Sequence, residues 1–505
     1  MNRKFGVIIS YVYMIFEVLS TLLLTPLITK SLGVAEFGVY KLVTSVSSYL
    51  LLLDLGLGNA TIRYMAKYRE NDDVQKSRNF LGVCIIYYGI IAAITLILGV
   101  VLILFFPKIF AEGLTADEIA IATKLMILTI VNIAISFLTS AFMNTLIAYS
   151  KYGITKGISI LSITIRIIFT YIFLQLGYKS IAIVSINLGI TIAIRLFYVL
   201  YVIFRLKIVP KTNNLETSFV KEIFIYSSFV LLQMIATHIN SSMNQVLLGS
   251  LVQGATAIIA VYGVGLQVTQ YFQSIGGALG GVLMPGVVKM VENKATPKDY
   301  ENEMIRIGRF STMILSLILV CFLINGQNFI SLWLGNDYKQ AYFVALMCMC
   351  IQMVVYAQSI GNQILWAMNK HKHQSILRIV ALVPIIVINI LLIKWNPLFG
   401  ATFGTFMSTL ISDVIISCIA FKKDIKINIV NYFIGLFKEL WICVLISGVV
   451  GYLTLKLIPI NGWIGFMFNV FLMVSIYFIS LWFIGFNSSE KIMFINILRK
   501  FRFIK

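Results

Sequence analysis

Charge is scarce in this sequence. Only 12% of its 505 residues are charged, whereas about 25% is usual for soluble domains. Hydrophobic residues make up 59% of the chain, and its mean hydropathy is +0.94. Because a soluble domain cannot bury that much apolar surface, the composition excludes an ordinary soluble fold and indicates a protein whose solvent is the lipid bilayer.

Cysteine and histidine are also rare, with six and three copies. All six cysteines fall within apolar runs, so we expect no disulfides. Cys348 and Cys350 lie two positions apart on a predicted helix and point to different sides, which excludes joint ligation of one metal ion. The run His371-Lys372-His373 lies in a basic loop, where solvated charge is the better interpretation. We therefore predict no metal site.

Long polar segments are missing as well. No loop exceeds roughly twenty residues, and a soluble domain usually needs fifty or more. A membrane polysaccharide polymerase or glycosyltransferase, the alternative from another functional class, needs an acid or base pair on a substantial outer loop. The longest outer loop, near 107–118, has about twelve residues. We therefore predict that the chain is not an enzyme.

Apolar runs repeat from Phe5 to Phe486, and each is long enough to cross roughly 30 Å of hydrocarbon as a helix. The sequence predicts an all-α polytopic membrane protein with about fourteen transmembrane helices. The run after Lys4 continues without a cleavage site, so we interpret it as a retained span. The predicted spans are 5–29, 37–62, 80–106, 119–148, 157–176, 181–204, 224–249, 257–287, 310–329, 340–367, 376–394, 400–421, 439–458 and 462–486.

The basic residues are distributed unevenly between the two sides of these spans. If the N-terminus is cytoplasmic, 30 of the 40 Lys and Arg lie on inside segments and eight on or near outside segments. This asymmetry is the one that the positive-inside rule predicts for cytoplasmic N- and C-termini. The net charge of +20 then faces anionic lipid, and no nucleic-acid partner is expected.

A weak internal repeat divides the chain. A shift of 222 residues aligns the second predicted span with the eighth, and a shift of 219 aligns the fourth with the tenth. Aligned pairs include Tyr40 with Tyr262, Gly58 with Gly280 and Lys151 with Lys370. If this similarity is more than chance among apolar helices, each half has an even number of spans and the halves share one topology. We predict parallel-topology six-helix bundles over 1–210 and 211–425, followed by two helices and a cytoplasmic tail over 426–505.

Three stretches carry a family resemblance. They are LGVAEFGVY at 32–40, DLGLGNATIRY at 54–64 and FISLWLG at 329–335. With the rest of the chain they resemble bacterial polysaccharide flippases. The resemblance implies translocation of undecaprenyl-diphosphate-linked oligosaccharide units for O-antigen or another surface polysaccharide, with other membrane proteins of polysaccharide assembly as further partners. A multidrug antiporter of the same superfamily, exporting organic cations, is the alternative.

Charges inside the predicted spans are few, and each costs at least about 2.5 to 3.5 kcal/mol at mid-bilayer. Arg166 and Arg195 are predicted to bind the lipid diphosphate, because guanidinium groups match phosphate oxygens. The alternative is an interhelical ion pair with Asp54 or Glu17. Lys41, near the outer interface, is a further cationic candidate. The related peptidoglycan-lipid flippases carry an arginine cluster on the first and eighth spans, where this chain has Glu17 and glutamines.

Three acidic residues are candidates for ion coupling. Glu17, Asp54 and Asp413 lie within or near the ends of spans, where burial favours uptake of H⁺ or Na⁺. A salt bridge or a helix-end charge is the alternative for each. No cofactor other than such a coupling ion is predicted, because the chain has no Gly-rich ATP-binding loop.

Uncharged polar side chains recur on the faces of three later spans. Amides and hydroxyls of this kind are wasted against lipid but suit neutral sugar hydroxyls, so we predict a sugar-facing surface. The alternative is interhelical hydrogen bonding, which contributes about 0.6 kcal/mol per bond. The predicted substrate-binding residues of this set are His238, Gln245, Gln267, Gln270 and Gln363.

Overall fold

The structure is a computed structural model. It describes residues 3–211, 242–281, 290–293, 295–368, 370–457 and 462–488, with positions 235, 238, 239, 287, 490–492 and 495. Within these ranges every regular element is helical. The predicted seventh span, 224–249, lies largely outside the described residues.

Six helices form the first part of the chain: α1 and α2 together cover the first two predicted spans, and α3 to α6 correspond to the third to sixth. A helix is the expected structure in lipid, because its backbone N–H and C=O groups form hydrogen bonds within the helix itself. Residues 201–205 continue the sixth helix with π-helical hydrogen bonding. The helices are α1 Arg3–Ser48, α2 Leu57–Glu70, α3 Val74–Ile109, α4 Ala116–Ala148, α5 Tyr152–Gln175 and α6 Ser180–Leu200.

The second predicted span is broken. It begins within α1, after a kink at Gly33, whose φ of 72° favours glycine. It then tightens into a 3₁₀ segment, Tyr49–Asp54, and ends in two left-handed residues, Leu55 and Gly56. The chain resumes as α2, so Asp54 lies directly at an interruption of the helix.

The later helices follow the predicted pattern with two differences. The predicted tenth span consists of two helices that meet at a bend of 42°, and a short helix that was not predicted precedes the last two spans. The helices are α7 Thr256–Gly281, α8 Pro297–Leu334, α9 Ala341–Ala357, α10 Ser359–Ala367, α11 His371–Trp395, α12 Pro397–Thr409, α13 Ile416–Ala420, α14 Ile429–Phe437, α15 Leu440–Leu457 and α16 Gly462–Ser480.

Ten described helical stretches are long and apolar enough to cross a membrane, or eleven if the bent pair is one span. One of these stretches, Val12–Glu70, contains the first two predicted spans. The chain is therefore an all-helical polytopic membrane protein. The total of about fourteen spans stays a prediction.

The chain forms two compact units. The first comprises 1–263 and 382–404, and the second comprises 264–381 and 405–505. Helices α7, α11 and α12 each contribute residues to both units. The predicted boundaries near 210 and 425 remain predictions about the repeat.

One arginine joins the C-terminal helices to α8 in the second unit. The guanidinium of Arg309 contacts both Glu490 carboxylate oxygens, at 2.9 and 3.3 Å. It also donates to the carbonyls of Gly435 and Lys438, where α14 ends, and to that of Gly485, just beyond α16. Because its side chain is only 6% exposed, Arg309 satisfies several helix-end carbonyls that water could not reach easily.

Candidate functional site

Glu17 and Arg166 share a neighbourhood in the first unit. Tyr13 on α1 lies within hydrogen-bonding reach of the Glu17 carboxylate and within electrostatic reach of Arg166 on α5. Tyr40 interacts electrostatically with the same arginine. The Lys156 ammonium lies 4.3 Å from the centroid of the Tyr13 ring. Both Glu17 and Arg166 are exposed, so the cluster combines accessible charges of both signs with phenol groups.

Arg195 extends this neighbourhood through α6. It is half-buried, lies within electrostatic reach of Tyr198 and Tyr88, and approaches the sulfur of Met143 at 3.5 Å. Neither Arg195 nor Arg166 forms an ion pair with a carboxylate in the part of the chain that the structure describes. The interhelical ion pair that was the alternative for these arginines is therefore not formed there.

Asp54 has several hydrogen-bond donors at the break in the second span. The backbone amides of Gly56 and Gly58 and the hydroxyl of Tyr88 lie within hydrogen-bonding reach of its carboxylate. Asn144 donates to the Tyr88 hydroxyl at 3.3 Å. This is the geometry of a carboxylate that caps the start of α2. A role for Asp54 in ion coupling remains a prediction.

Two polar stripes face each other where α1 lies beside the helical segment 242–251. The Ser45 hydroxyl donates to the Ser242 carbonyl at 2.9 Å, and the hydroxyls of Ser48 and Ser242 lie 3.2 Å apart. His238, one turn before Ser242, is half-buried. Ser242, a hydroxyl-bearing residue near the predicted polar residues His238 and Gln245, therefore forms contacts between helices.

Lys41 and Gln245 both lie beside Gly263. A side chain on Gly263 would lie only 3.1 Å from the Lys41 stem and 3.3 Å from the Gln245 amide. The Lys41 ammonium lies 5.2 Å from the centroid of the Phe37 ring, and Gln245 is buried. Glycine at 263 thus leaves room for a cation and an amide that come from distant parts of the sequence.

Asp413 pairs with a cation that sequence reasoning missed. The distance between Arg378 Nη2 and an Asp413 carboxylate oxygen is 3.2 Å, and the side chains are 11% and 30% exposed. Nearby, Gln374 donates to Asn362 and Ser417 at 2.8 Å each. Arg378 lies only two residues into the predicted span 376–394 and was therefore counted among the basic residues of the inside segment before it. Helix α11 begins at His371, which places Arg378 two turns into it.

The remaining predicted glutamines lie in the second unit. Gln267 is buried and donates to the Tyr271 hydroxyl at 2.7 Å, while Gln270 on the same helix is exposed. Gln363 is half-buried on α10. The structure therefore brings together Glu17, Arg166 and Arg195 within the first unit, but Gln267, Gln270, Gln363 and Asp413 belong to the second. Sugar binding by the glutamines remains a prediction.

The fold is similar to those of solved transporters. A structure described as "Lipid II flippase MurJ, inward closed conformation" matches with a TM-score of 0.72 at 15% identity, over 94% of this chain and 97% of that one. An inward-facing multidrug resistance MATE family transporter of the MOP superfamily matches with a TM-score of 0.65 at 13% identity, over 81% of this chain and 93% of that one. No curated protein matches. At these identities the likeness establishes the fold alone.

The fold and the span pattern define the class of this protein, a polytopic helical membrane protein. The family model of polysaccharide biosynthesis proteins matches residues 4–291, more than half of the chain. The chain therefore belongs to the polysaccharide biosynthesis protein family, with the fold of MOP-superfamily transporters. Family and fold agree with the prediction that it is a transporter and not an enzyme.

Proposed function

We propose that the protein is a flippase that moves undecaprenyl-diphosphate-linked oligosaccharide units from the cytoplasmic to the outer leaflet of a bacterial inner membrane. The observation that carries this proposal is the pair Arg166 and Arg195. Both lie within spans of a polysaccharide biosynthesis protein, and neither has a carboxylate partner in the described residues. Charges at that depth are costly and point to function, and guanidinium groups suit a diphosphate.

The proposal includes about fourteen spans, arranged as two six-helix bundles with two further helices. Both termini lie in the cytoplasm, because the basic residues concentrate on the segments that this orientation puts inside. The polar residues Lys41, His238, Gln245, Gln267, Gln270 and Gln363 contact the diphosphate or the sugars, and Glu17, Asp54 or Asp413 couples transport to H⁺ or Na⁺.

Transport proceeds by alternating access, and contacts within the first unit supply the gate on the outer side. A methyl group on Gly38 would overlap the Thr256 carbonyl, and one on Gly113 would overlap that of Gly249. The Ala255 amide also donates to the Gly113 carbonyl at 3.1 Å. These contacts join segments from the two sequence halves at ends that the charge distribution assigns to the outside.

Deletion of the gene in its native host tests the function. We expect loss of surface polysaccharide and accumulation of undecaprenyl-linked repeat units facing the cytoplasm. Intact polymer with altered drug sensitivity would favour the multidrug antiporter instead. That alternative is supported by the exposed carboxylate of Glu17, which could bind an organic cation, although two arginines share its neighbourhood.

Complementation of the deletion strain tests the cationic site. Arg166→Ala should abolish export at normal protein levels, because the diphosphate loses its guanidinium. Arg205→Ala is the matched control, since Arg205 is exposed at the inner end of the same hairpin. Normal export by Arg166→Ala would remove this arginine from the substrate site.

A reversible cross-link tests the gate. With native cysteines replaced, Ser48→Cys with Ser242→Cys should form a disulfide, because their hydroxyls lie 3.2 Å apart, and should stop export until reduced. Thr61→Cys in a background that retains Cys84 as its one native cysteine is the control, since both positions belong to the first half and their side chains lie 3.7 Å apart. Export that continues with the first pair fully cross-linked would contradict the gate.

A further inference from the structure

An apolar groove separates α5 from α6. Its volume is about 620 Å³, which is within the range of small-molecule sites, roughly 300 to 1,000 Å³. Both helices supply aromatic rings. Small residues on α6 leave space in the groove because their side chains do not fill it. The residues that define its shape are Phe169, Phe173, Phe197, Ala182, Gly189 and Ala193.

The groove follows the helices for most of their length. Its lining extends over 158–173 on α5 and over 182–197 on α6. At 1.5 Å per residue, each stretch is about 22 Å long, compared with roughly 30 Å for the hydrocarbon of a bilayer. A groove this long, with apolar walls on both sides, fits a linear hydrocarbon chain better than a compact solute.

Contacts hold α6 at both of its ends. At the outer end the Glu36 carboxylate of α1 accepts a hydrogen bond from the Ser180 amide at 3.0 Å and pairs with Lys179 at 3.5 Å. At the inner end the Tyr198 hydroxyl lies within hydrogen-bonding reach of Ser159 on α5. Between these contacts a Cβ on Gly189 would meet no atom within 4 Å, so the space there is open.

A cation borders the groove. Arg166 is exposed on α5, and it is one helical turn from Ser162 and from Phe169, both of which line the groove. An apolar groove with a guanidinium at its edge complements a molecule that has a long hydrocarbon chain and a phosphate at one end. A neutral chain would leave this guanidinium without a hydrogen-bonded anion, and a charge within the bilayer is costly.

We propose that the groove between α5 and α6 holds the phosphate-proximal part of the hydrocarbon chain of a polyprenyl phosphate or diphosphate, with Arg166 beside the phosphate. This inference rests on the proposed flippase function and identifies where the lipid part of the substrate binds. The substrate's sugars then extend from the phosphate towards the polar residues of the first unit.

Photo-cross-linking of the purified full chain in phosphatidylcholine nanodiscs tests the groove. The probe is undecaprenyl phosphate with a diazirine near its phosphate end. Labelling should map to peptides of α5 and α6, and excess undecaprenyl phosphate should compete with it, whereas phosphatidylglycerol should not. Equal competition by phosphatidylglycerol would overturn the proposal, because the groove would then be a general lipid site.

Two variants fill the groove. Gly189→Leu and Ala193→Leu, one turn apart, should each lower labelling at least tenfold. Gly89→Leu on α3 is the matched control, since a Cβ there also meets no atom within 4 Å, and its labelling should be unchanged. Labelling that persists in correctly folded groove variants would overturn the proposal.

Arg166→Gln distinguishes binding of the phosphate from binding of the hydrocarbon chain. It should lower labelling by the phosphate probe but not by the corresponding polyprenol probe, and equal effects on both would overturn the role of Arg166. Labelling outside α5 and α6 by a protein that still supports export would overturn the groove alone. No labelling at all, together with intact polymer after gene deletion, would overturn the flippase function as well.

Discussion

Two helix pairs of this protein are held in opposite ways. The pair α15 and α16 is joined by buried polar contacts: Asn325 of α8 donates to Asn469 at 2.9 Å, and Asn469 donates to the Gly451 carbonyl at 3.0 Å. In α5, by contrast, Ser162 and Thr164 donate to carbonyls of their own helix. Asn469 of the C-terminal pair therefore connects helices, whereas Ser162 and Thr164 in the middle of α5 bond only within their own helix.

The difference shows which interactions stabilise the association of helices in a bilayer. Apolar side chains do not drive helices together in a bilayer, because lipid tails are equally apolar. Interhelical hydrogen bonds and close backbone packing do so instead. A helix pair that lacks such contacts in its middle can retain a groove between the helices. A helix pair with several such contacts is held together more strongly.

The strongest way to break the comparison is to remove Arg309. Arg309→Met should destabilise the protein by about 3 to 5 kcal/mol, because Glu490 loses its buried partner. The measurement is an unfolding titration in SDS. Arg306→Met is the control, since Arg306 is 67% exposed and pairs with Glu303 on its own helix. Such an exposed pair contributes about 0 to 1 kcal/mol. Equal effects of the two variants would contradict the role assigned to Arg309.

A smaller loss is expected from one hydroxyl of the C-terminal pair. Tyr477 donates to the Met313 carbonyl and contacts the Ser316 hydroxyl, both at 2.8 Å. Tyr477→Phe should cost about 0.6 to 1.7 kcal/mol, the range of hydrogen bonds between transmembrane helices. The same titration measures it. Tyr452→Phe, at an exposed position of α15, should change nothing, and a comparable loss there would remove the argument.

The contact between Glu36 of α1 and the start of α6 gives a local effect. Glu36→Gln keeps the size of the side chain but removes its charge, so the start of α6 loses a charged cap worth about 1 kcal/mol. We expect faster amide hydrogen exchange over residues 180–184 and no change in α15. Uniform acceleration in both helices would mean that Glu36 supports the whole fold.

The smallest effect concerns the N-terminus of α8, the helix that contacts α15 and α16. The Thr296 hydroxyl and amide hydrogen-bond to Asp299 and lower the pKa of its carboxyl below the usual value, about 3.9. Because the folded pKa is depressed, this capping contribution is present above the unfolded pKa and is lost as pH falls through the folded one. Amide exchange in the first turn, corrected for intrinsic rates, should therefore increase between pH 5 and pH 3. An equal increase in Asp299→Asn would exclude this carboxyl as the cause.

Much of the fold could be predicted from the sequence because the bilayer imposes simple rules. The spans of α3 to α6 follow from runs of apolar residues, since each run must form a helix to satisfy its backbone. Helix α14 could not be predicted in this way. It is short, and it is fixed by distant contacts such as the hydrogen bond from Tyr432 to the Ala357 carbonyl.

The candidate site was predictable as a set of residues but not as an arrangement. Arg166, Arg195 and Glu17 could be identified because charges in apolar runs are rare. Their shared neighbourhood depends on Tyr13 and Tyr198, which belong to helices far apart in the sequence. Arg378 was missed because the predicted start of α11 was five residues late. Arg378, which pairs with Asp413 from within the helix, was therefore interpreted as a basic residue of the preceding loop.

The close approaches at Gly38 and Gly113 have a consequence for how this chain tolerates genetic change. What touches there is backbone, Thr256 and Gly249 contributing only their carbonyls. Most replacements of the side chain at 256 therefore leave that contact intact, whereas even the smallest change at codon 38 or 113, glycine to alanine, places a methyl group into it. Mutations that disable the proposed gate are therefore expected at these two glycine codons more often than at codon 256.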